Sequence, residues 1–199
     1  MTTEERVREA AVRLFAERGF HGTGIRDLAQ AAGLSSATLY HYMGTKEDLL
    51  AEIMRTSLTE LITAAEQITG QHVTGQHVTG QAGTETRRLV SLVKMHVRAH
   101  AEKPRETAVV DGEMRALTGA RREEIVALRD RYESFWQQAI EAGVKARELS
   151  VADPGVARLA LLEMCSGVSR WYSPAGPVGL SDLTIQYADM ALGILGAAR

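Results

Sequence analysis

Wherever apolar residues recur in this chain they recur three or four positions apart, and that periodicity excludes most folds. Val7, Ala11, Leu14 and Phe15 fall on one side of a helix. So do Leu49, Leu50, Ile53, Met54, Leu58, Leu61, Ile62 and Ala65, and again Ile125, Leu128, Tyr132, Phe135, Trp136 and Ile140. No segment sustains the alternation of a half-buried strand. The expectation is an all-α chain, with a small amino-terminal three-helix unit and a larger helical bundle.

Helix boundaries are written in cap residues. Thr2 and Glu5 have capping-box spacing, and Gly19 makes a natural stop. Thr23 can cap a short second helix that Gly33 ends, and Ser35 can cap a third, "SATLYHYM". Thr45 with Asp48 opens a long fourth helix running to about Ile68. Then "TGQHVTGQHVTGQAGT" repeats a unit that suits neither helix nor strand, so residues 69–84 read as a flexible duplicated loop. Pro104 stops the next helix, "ETAVVDGEMRAL" reads as another, and Asp153 with Pro154 starts a later one. The expected organisation is a reader domain over residues 1–47 and an effector-binding and dimerisation domain over residues 48–199.

The two short helices joined by "AGLS" have the length and the glycine of a helix-turn-helix. With ~100° per residue, Leu39 and Met43 share the buried side of the third helix, while Ala37 and His41 point away from it. Thr38 and Tyr40 flank that outward face and Tyr42 sits at its edge. A small residue for close approach, with polar edges beside it, is what a major groove requires. Phosphates can be met by helix amino termini, by the hydroxyls of Thr23, Ser35, Ser36 and Thr45, by the phenols of Tyr40 and Tyr42, and by Arg26 and Lys46.

Charge does not advertise this role. The chain carries 23 Lys and Arg against 25 Asp and Glu, a net charge of −2. Its reader segment holds Arg6, Arg8, Arg13, Arg18, Arg26 and Lys46 against slightly more acidic side chains. A broad basic footprint is absent, so few, well-placed contacts must suffice.

The string "GFHGTGIRDLAQAAGLSSATLYHYMGTKEDLL" resembles the DNA-binding region of the tetracycline-repressor (TetR) family. The match runs without gaps through Thr23, Ile25, Asp27, Ala29, Ala32, Gly33, Ser35, Thr38, Leu39, Tyr40, Lys46, Glu47, Leu49 and Leu50. Ala37 stands where the family often has Gly, Tyr42 where it often has His, and Met43 where Phe is frequent. Near the other end, "RWYSPAGPVGL" is similar to the "RWYRPGGPL" of members that respond to acyl-coenzyme A thioesters, with Ser173 in place of an arginine. The resemblance implies a homodimeric, ligand-responsive repressor bound to operator DNA.

Such a protein needs a pocket and a dimer surface. Candidate pocket lining is Met54, Leu58, Met95, His96, Met114, Phe135, Trp136 and Met164, for which plain core packing is the competing reading. Candidate dimer contacts are Trp171, Tyr172, Tyr187, Met190 and Leu195, which interior packing would explain equally. His96 and His100 have a helical metal-binding spacing, and His72 and His77 would complete a set if the repeat folded over them. A helical adaptor with such a metal-responsive site is therefore an alternative. An enzyme is a further one, but no "GxSxG", "CxxC", "HExxH" or phosphate-cradling loop occurs, and Asp111 and Glu113 have no nucleophile beside them. No cofactor is called for. The lone Cys165 sits in apolar "LLEMCSGV" and reads as an ordinary buried thiol. Arg121, Arg122, Glu123 and Glu124 read as a solvated helix start. One cysteine, a charged amino terminus and no long apolar run fit a soluble cytoplasmic protein.

Overall fold

The computed structural model describes residues 1–74 and 84–197, with side chains given for 1–70 and 84–197. Ten α-helices are described: α1 Thr3–Arg18, α2 Ile25–Ala32, α3 Ser36–Met43, α4 Lys46–Thr74, α5 Thr84–Glu102, α6 Pro104–Gly112, α7 Gly119–Lys145, α8 Pro154–Ser166, α9 Val168–Trp171 and α10 Leu180–Ile194. A 3₁₀ turn, Met114–Ala116, lies between α6 and α7. No strand occurs among the described residues. The all-α expectation holds.

Three boundaries differ from those expected. Helix α4 continues to Thr74, through the first residues of the "TGQHV" repeat. The rest of that repeat, and with it the flexible-loop expectation, lies outside the described residues. Pro104 does not merely stop α5; it is the first residue of α6, where a missing N–H costs nothing. The segment "ETAVVDGEMRAL" breaks at Gly112, so it is a helix followed by a 3₁₀ turn.

By contact the chain divides into two units. The first comprises Met1–Thr59 and Arg105–Leu128, the second Glu60–Pro104 and Arg129–Arg199. In the first, the apolar stripes of α1 to α4 meet in one cluster. Leu14 and Phe15 of α1, Leu28 of α2, Leu39 and Met43 of α3, and Leu50, Ile53 and Met54 of α4 all belong to it. Val109, Val110, Leu117 and Ile125 complete it from the later segment. Polar links join the same parts. Arg8 reaches the largely buried carboxylate of Glu106 at 2.9 Å, and Glu47 accepts from the Thr118 amide at 2.6 Å. Arg55 meets Glu124 at 2.6 Å. Arg121 and Glu124 are thus ion-pair partners of α4, not merely the solvated helix start expected of them.

In the second unit α5 packs on α10, α8 and α9. Its interior includes Leu89, Leu92, Val93, Val97, Trp136, Ile140 and Leu161. Cys165 is wholly buried there, and burial pushes its thiol up to about 12, the inert state expected.

Leu39 is fully buried and, with Met43, carries α3 into the first unit's core. Leu39→Ala should destabilise the protein by about 2–5 kcal/mol, read from a urea or thermal denaturation curve. A loss below about one kcal/mol would mean that α3 is held by Met43 and its ends.

Candidate nucleic-acid interface

Helix α2 ends at Gly33, whose φ of 67° and ψ of 39° are left-handed. A side chain there would be strained, so glycine sets this corner. The Leu34 amide then donates to Ala29 O at 2.9 Å, closing the α2 end. Ser35 caps α3 as expected: its hydroxyl accepts from the Thr38 amide at 3.1 Å, and the two hydroxyls share a hydrogen bond at 2.8 Å.

Burial along α3 follows the helical-wheel expectation. Leu39 and Met43 are buried, Ser36 is half-buried, and Ala37, Thr38, Tyr40, His41 and Tyr42 are exposed. Tyr40 is 51% exposed, so its phenol is open to solvent. The His41 and Tyr42 rings meet edge to face, their centroids 5.3 Å apart. Arg26 is exposed on α2.

Thr23 is a correction. It was expected to cap α2 and offer its hydroxyl outward, but it is buried at 1% exposure. Its Oγ1 donates to Leu14 O and Gly19 O, so it closes the carbonyl end of α1 instead. The residue capping α2 is Gly24, whose amide donates to Asp27 at 3.0 Å. Lys46 is also differently engaged: its Nζ donates to Phe20 O and Thr23 O.

Thr45 and Asp48 form the expected reciprocal cap of α4. The Thr45 amide and hydroxyl donate to Asp48 at 2.9 and 2.6 Å, and the Asp48 amide donates back at 3.1 Å. The Arg121 guanidinium adds a contact at 2.6 Å. Hydrogen bonds from the Thr45 hydroxyl, then its amide, then Arg121 hold the Asp48 carboxyl down at about 2.

The expected pocket set is divided between the units. Met54 and Leu58 belong to the core of the first, and Met114 packs against it. Met95 and Met164 are half-buried in the second. A cavity of about 330 Å³ in the second unit is lined by Glu66, Thr69, Gly70, Arg88, Phe135, Gln138 and Ala139, so Phe135 alone of the expected residues faces it. Trp136 is fully buried, and its indole N–H meets no acceptor among the described residues.

His96 lies in a buried polar cluster. Its Nδ1 shares a hydrogen bond with the Tyr132 hydroxyl at 2.7 Å and its Nε2 one with Ser166 at 3.1 Å. His100 stacks on it at 4.0 Å and bonds through Nδ1 to His96 O. Burial, then the neighbouring His100, pushes the His96 pKa well down, so the ring is neutral. Both His96 nitrogens are engaged, and no set of three metal-ligating side chains occurs among the described residues. The His72 side chain and His77 lie outside the described residues. Nothing favours the metal-responsive alternative.

The expected dimer residues separate in the same way. Trp171 and Met190 are about half exposed and Tyr172 is half-buried. Tyr187 is buried beneath Trp171, and Leu195 is at 0% exposure, an interior residue of its own unit. Sequence reasoning passed over Val156 and Leu159 on α8 and Ile185 and Ile194 on α10, all exposed. The available signal was that both helices are apolar on more than one side.

A fold of short capped helices carrying an exposed polar recognition helix defines a helix-turn-helix regulator. Comparison with known proteins agrees. Residues 7–53 match the family "Bacterial regulatory proteins, tetR family", and residues 82–195 match "Tetracyclin repressor-like, C-terminal domain". The HTH-type transcriptional repressor KstR2 of Rhodococcus jostii is 30% identical over 187 residues, covering 92% of this chain and 86% of the relative. The crystal structure of the TetR-family regulator PfmR from Thermus thermophilus shares 30% identity at a TM-score of 0.78, covering 98% of this chain and 99% of that one. AibR, solved with isovaleryl coenzyme A and operator DNA, has the same fold, with a TM-score of 0.79 and 24% identity over 99% of this chain and 100% of that one. The chain belongs to the TetR family and is a DNA-binding transcriptional regulator. Among the described residues no helix is long and apolar enough to cross a membrane.

Because the Asp48 pKa lies below its ordinary 3.8, its contribution to stability is present above that value and fades as pH falls toward about 2. Asp48→Asn should therefore lower the melting temperature at neutral pH. The gap to the native protein should narrow between those two pH values. A gap independent of pH across that window would show that the charge is not what stabilises the cap.

Proposed function

We propose that this regulator is a repressor, that it binds its operator as a homodimer, and that an acyl-coenzyme A thioester or similar apolar ligand releases it. The observation that carries the DNA-reading part is the division of α3, with Leu39 and Met43 buried and Ala37, Thr38, Tyr40, His41 and Tyr42 exposed. Ala37 and His41 approach base edges in the major groove. Tyr40, Tyr42, Ser35, Ser36, Thr38, Thr45 and Arg26 supply phosphate contacts that fix the register. Two such readers must lie about one helical turn of DNA apart, which calls for a two-fold dimer. The exposed apolar residues of α8 and α10, with Trp171 and Met190, form the surface assigned to that dimer, since a monomer seldom leaves such a patch uncovered.

Three things support the effector reading. The carboxy-terminal "RWYSPAGP" is similar to that of acyl-coenzyme A-responsive members. AibR, of the same fold, was solved with isovaleryl coenzyme A. The second unit holds a cavity of about 330 Å³ that Phe135 and Ala139 help to line, within the size range of small-molecule sites. Release then follows from linkage: a ligand that favours a dimer with misplaced readers weakens DNA binding, and DNA weakens ligand binding by the same factor. Helix α4, which contributes residues to both units, is the continuous backbone assigned to this coupling.

Fluorescence-anisotropy titration against DNA from immediately upstream of the gene, with a scrambled duplex as control, tests the reading. Selective binding that isovaleryl coenzyme A or a longer acyl thioester reverses is the expected result. His41→Ala should change the preference at one base pair by about 1–3 kcal/mol. Equal weakening on every duplex would remove His41 from base reading, and binding untouched by any acyl thioester would remove that ligand class.

A further inference from the structure

The cation most naturally assigned to DNA phosphate in this reader is Lys46, at the first position of α4. Its surroundings say otherwise. An ammonium has three protons to donate. Two of them go to Phe20 O at 2.7 Å and Thr23 O at 2.8 Å, and the nitrogen lies 4.1 Å from the centroid of the Phe20 ring. The turn between α1 and α2 ends a helix, so it carries carbonyls that need donors from outside the helix. Thr23 donates from within to Gly19 O and back onto α1 at Leu14 O. Lys46 satisfies two more from more than twenty residues away, over a ring that is itself buried at 7% exposure.

We infer that Lys46 is a positioning residue: its ammonium ties the start of α4 to the turn that precedes α2, and so sets how α3 is presented to DNA. The reasoning is topological. Helix α3 lies between α2 and α4 in the chain, with only Gly33–Ser35 before it and Gly44–Thr45 after it. Fixing the start of α2 against the start of α4 fixes both attachments of the recognition helix. Two of the ammonium's three protons are spent on these carbonyls, and Phe20 O also accepts from the Thr23 amide at 3.2 Å, so the turn is held from both sides. The inference rests on the DNA-reading role of α3 and concerns how that role is held in place.

Salt dependence separates positioning from contact. Each phosphate contact contributes about 0.9 to the slope of log affinity against log salt. The test uses the tightest-binding duplex recovered by selection from a random library with the native protein. Lys46→Met is compared with the native protein over a range of salt concentrations, below the melting temperature of both, with helical circular dichroism confirming that the variant is folded. The expected result is affinity weaker by about tenfold at every salt concentration, with parallel lines. A slope reduced by about one contact would show that Lys46 touches phosphate and would overturn the inference. Unchanged affinity in the folded variant would reduce Lys46 to a stabilising residue and overturn it equally.

Lys46→Arg provides the same decision if the methionine variant does not fold. Its planar fork keeps the charge but does not fit the seat formed by one ring and two carbonyls. Weaker binding at an unchanged slope is expected, and native affinity would refute the assignment. Recovery of no duplex by the native protein would remove the DNA-reading role itself, and this inference with it.

Discussion

An eight-residue helix does not persist alone in water, and both helices of this helix-turn-helix are eight residues long. Everything else in the first unit answers that constraint. Helix α3 must keep an outward face polar and unpartnered, so it has only Leu39 and Met43 with which to hold on. Its remaining support comes from its ends, where Ser35 meets the first amides and the Gly44 amide returns to Tyr40 O at 3.0 Å. The neighbouring helices are anchored through carbonyls and carboxylates that lie far apart in sequence. The placement of α3 is therefore set largely by the frame around it.

What the sequence made legible was local. Thr2 with Glu5, Ser35 with Thr38, and Thr45 with Asp48 are each three residues apart, so the chain geometry of one helical turn is enough to foresee them. The buried pair Leu39 and Met43 follows from one helical period. Thr23 was misjudged because its partners are set by tertiary packing, and the carbonyl partners of Lys46 are hidden in the sequence for the same reason. A threonine before a helix start looks like a cap until the adjacent glycine takes that position and the carbonyl end of another helix claims the hydroxyl. A lysine at a helix start looks free until the turn opposite is found to have acceptors in need of donors.

The same limit applied to the pocket and dimer residues. Periodicity places Met54 and Trp136 on inward faces but cannot say which interior receives them. Met54 entered the core shared with the reader, whereas Trp136 entered the second unit. Leu195 and Met190 look alike in sequence, yet one is wholly enclosed and the other half exposed. The segment 105–128, read simply as helices of the effector domain, belongs by contact with the reader. Its Glu106, Thr118, Arg121 and Glu124 find partners on α1 and α4, none of which any local pattern announces.

Biosynthesis has to wait for that returning segment. The first unit takes Val109, Val110, Leu117 and Ile125 from beyond the whole of α5. A nascent chain that has emerged only as far as α4 has made the whole helix-turn-helix but lacks part of the interior it rests on. Until the start of α7 leaves the ribosome, the apolar sides of α1 and α4 stay partly uncovered, and contacts that distant in sequence form late. The reader, although it precedes that segment in the chain, is finished only after the chain has turned away from it and come back.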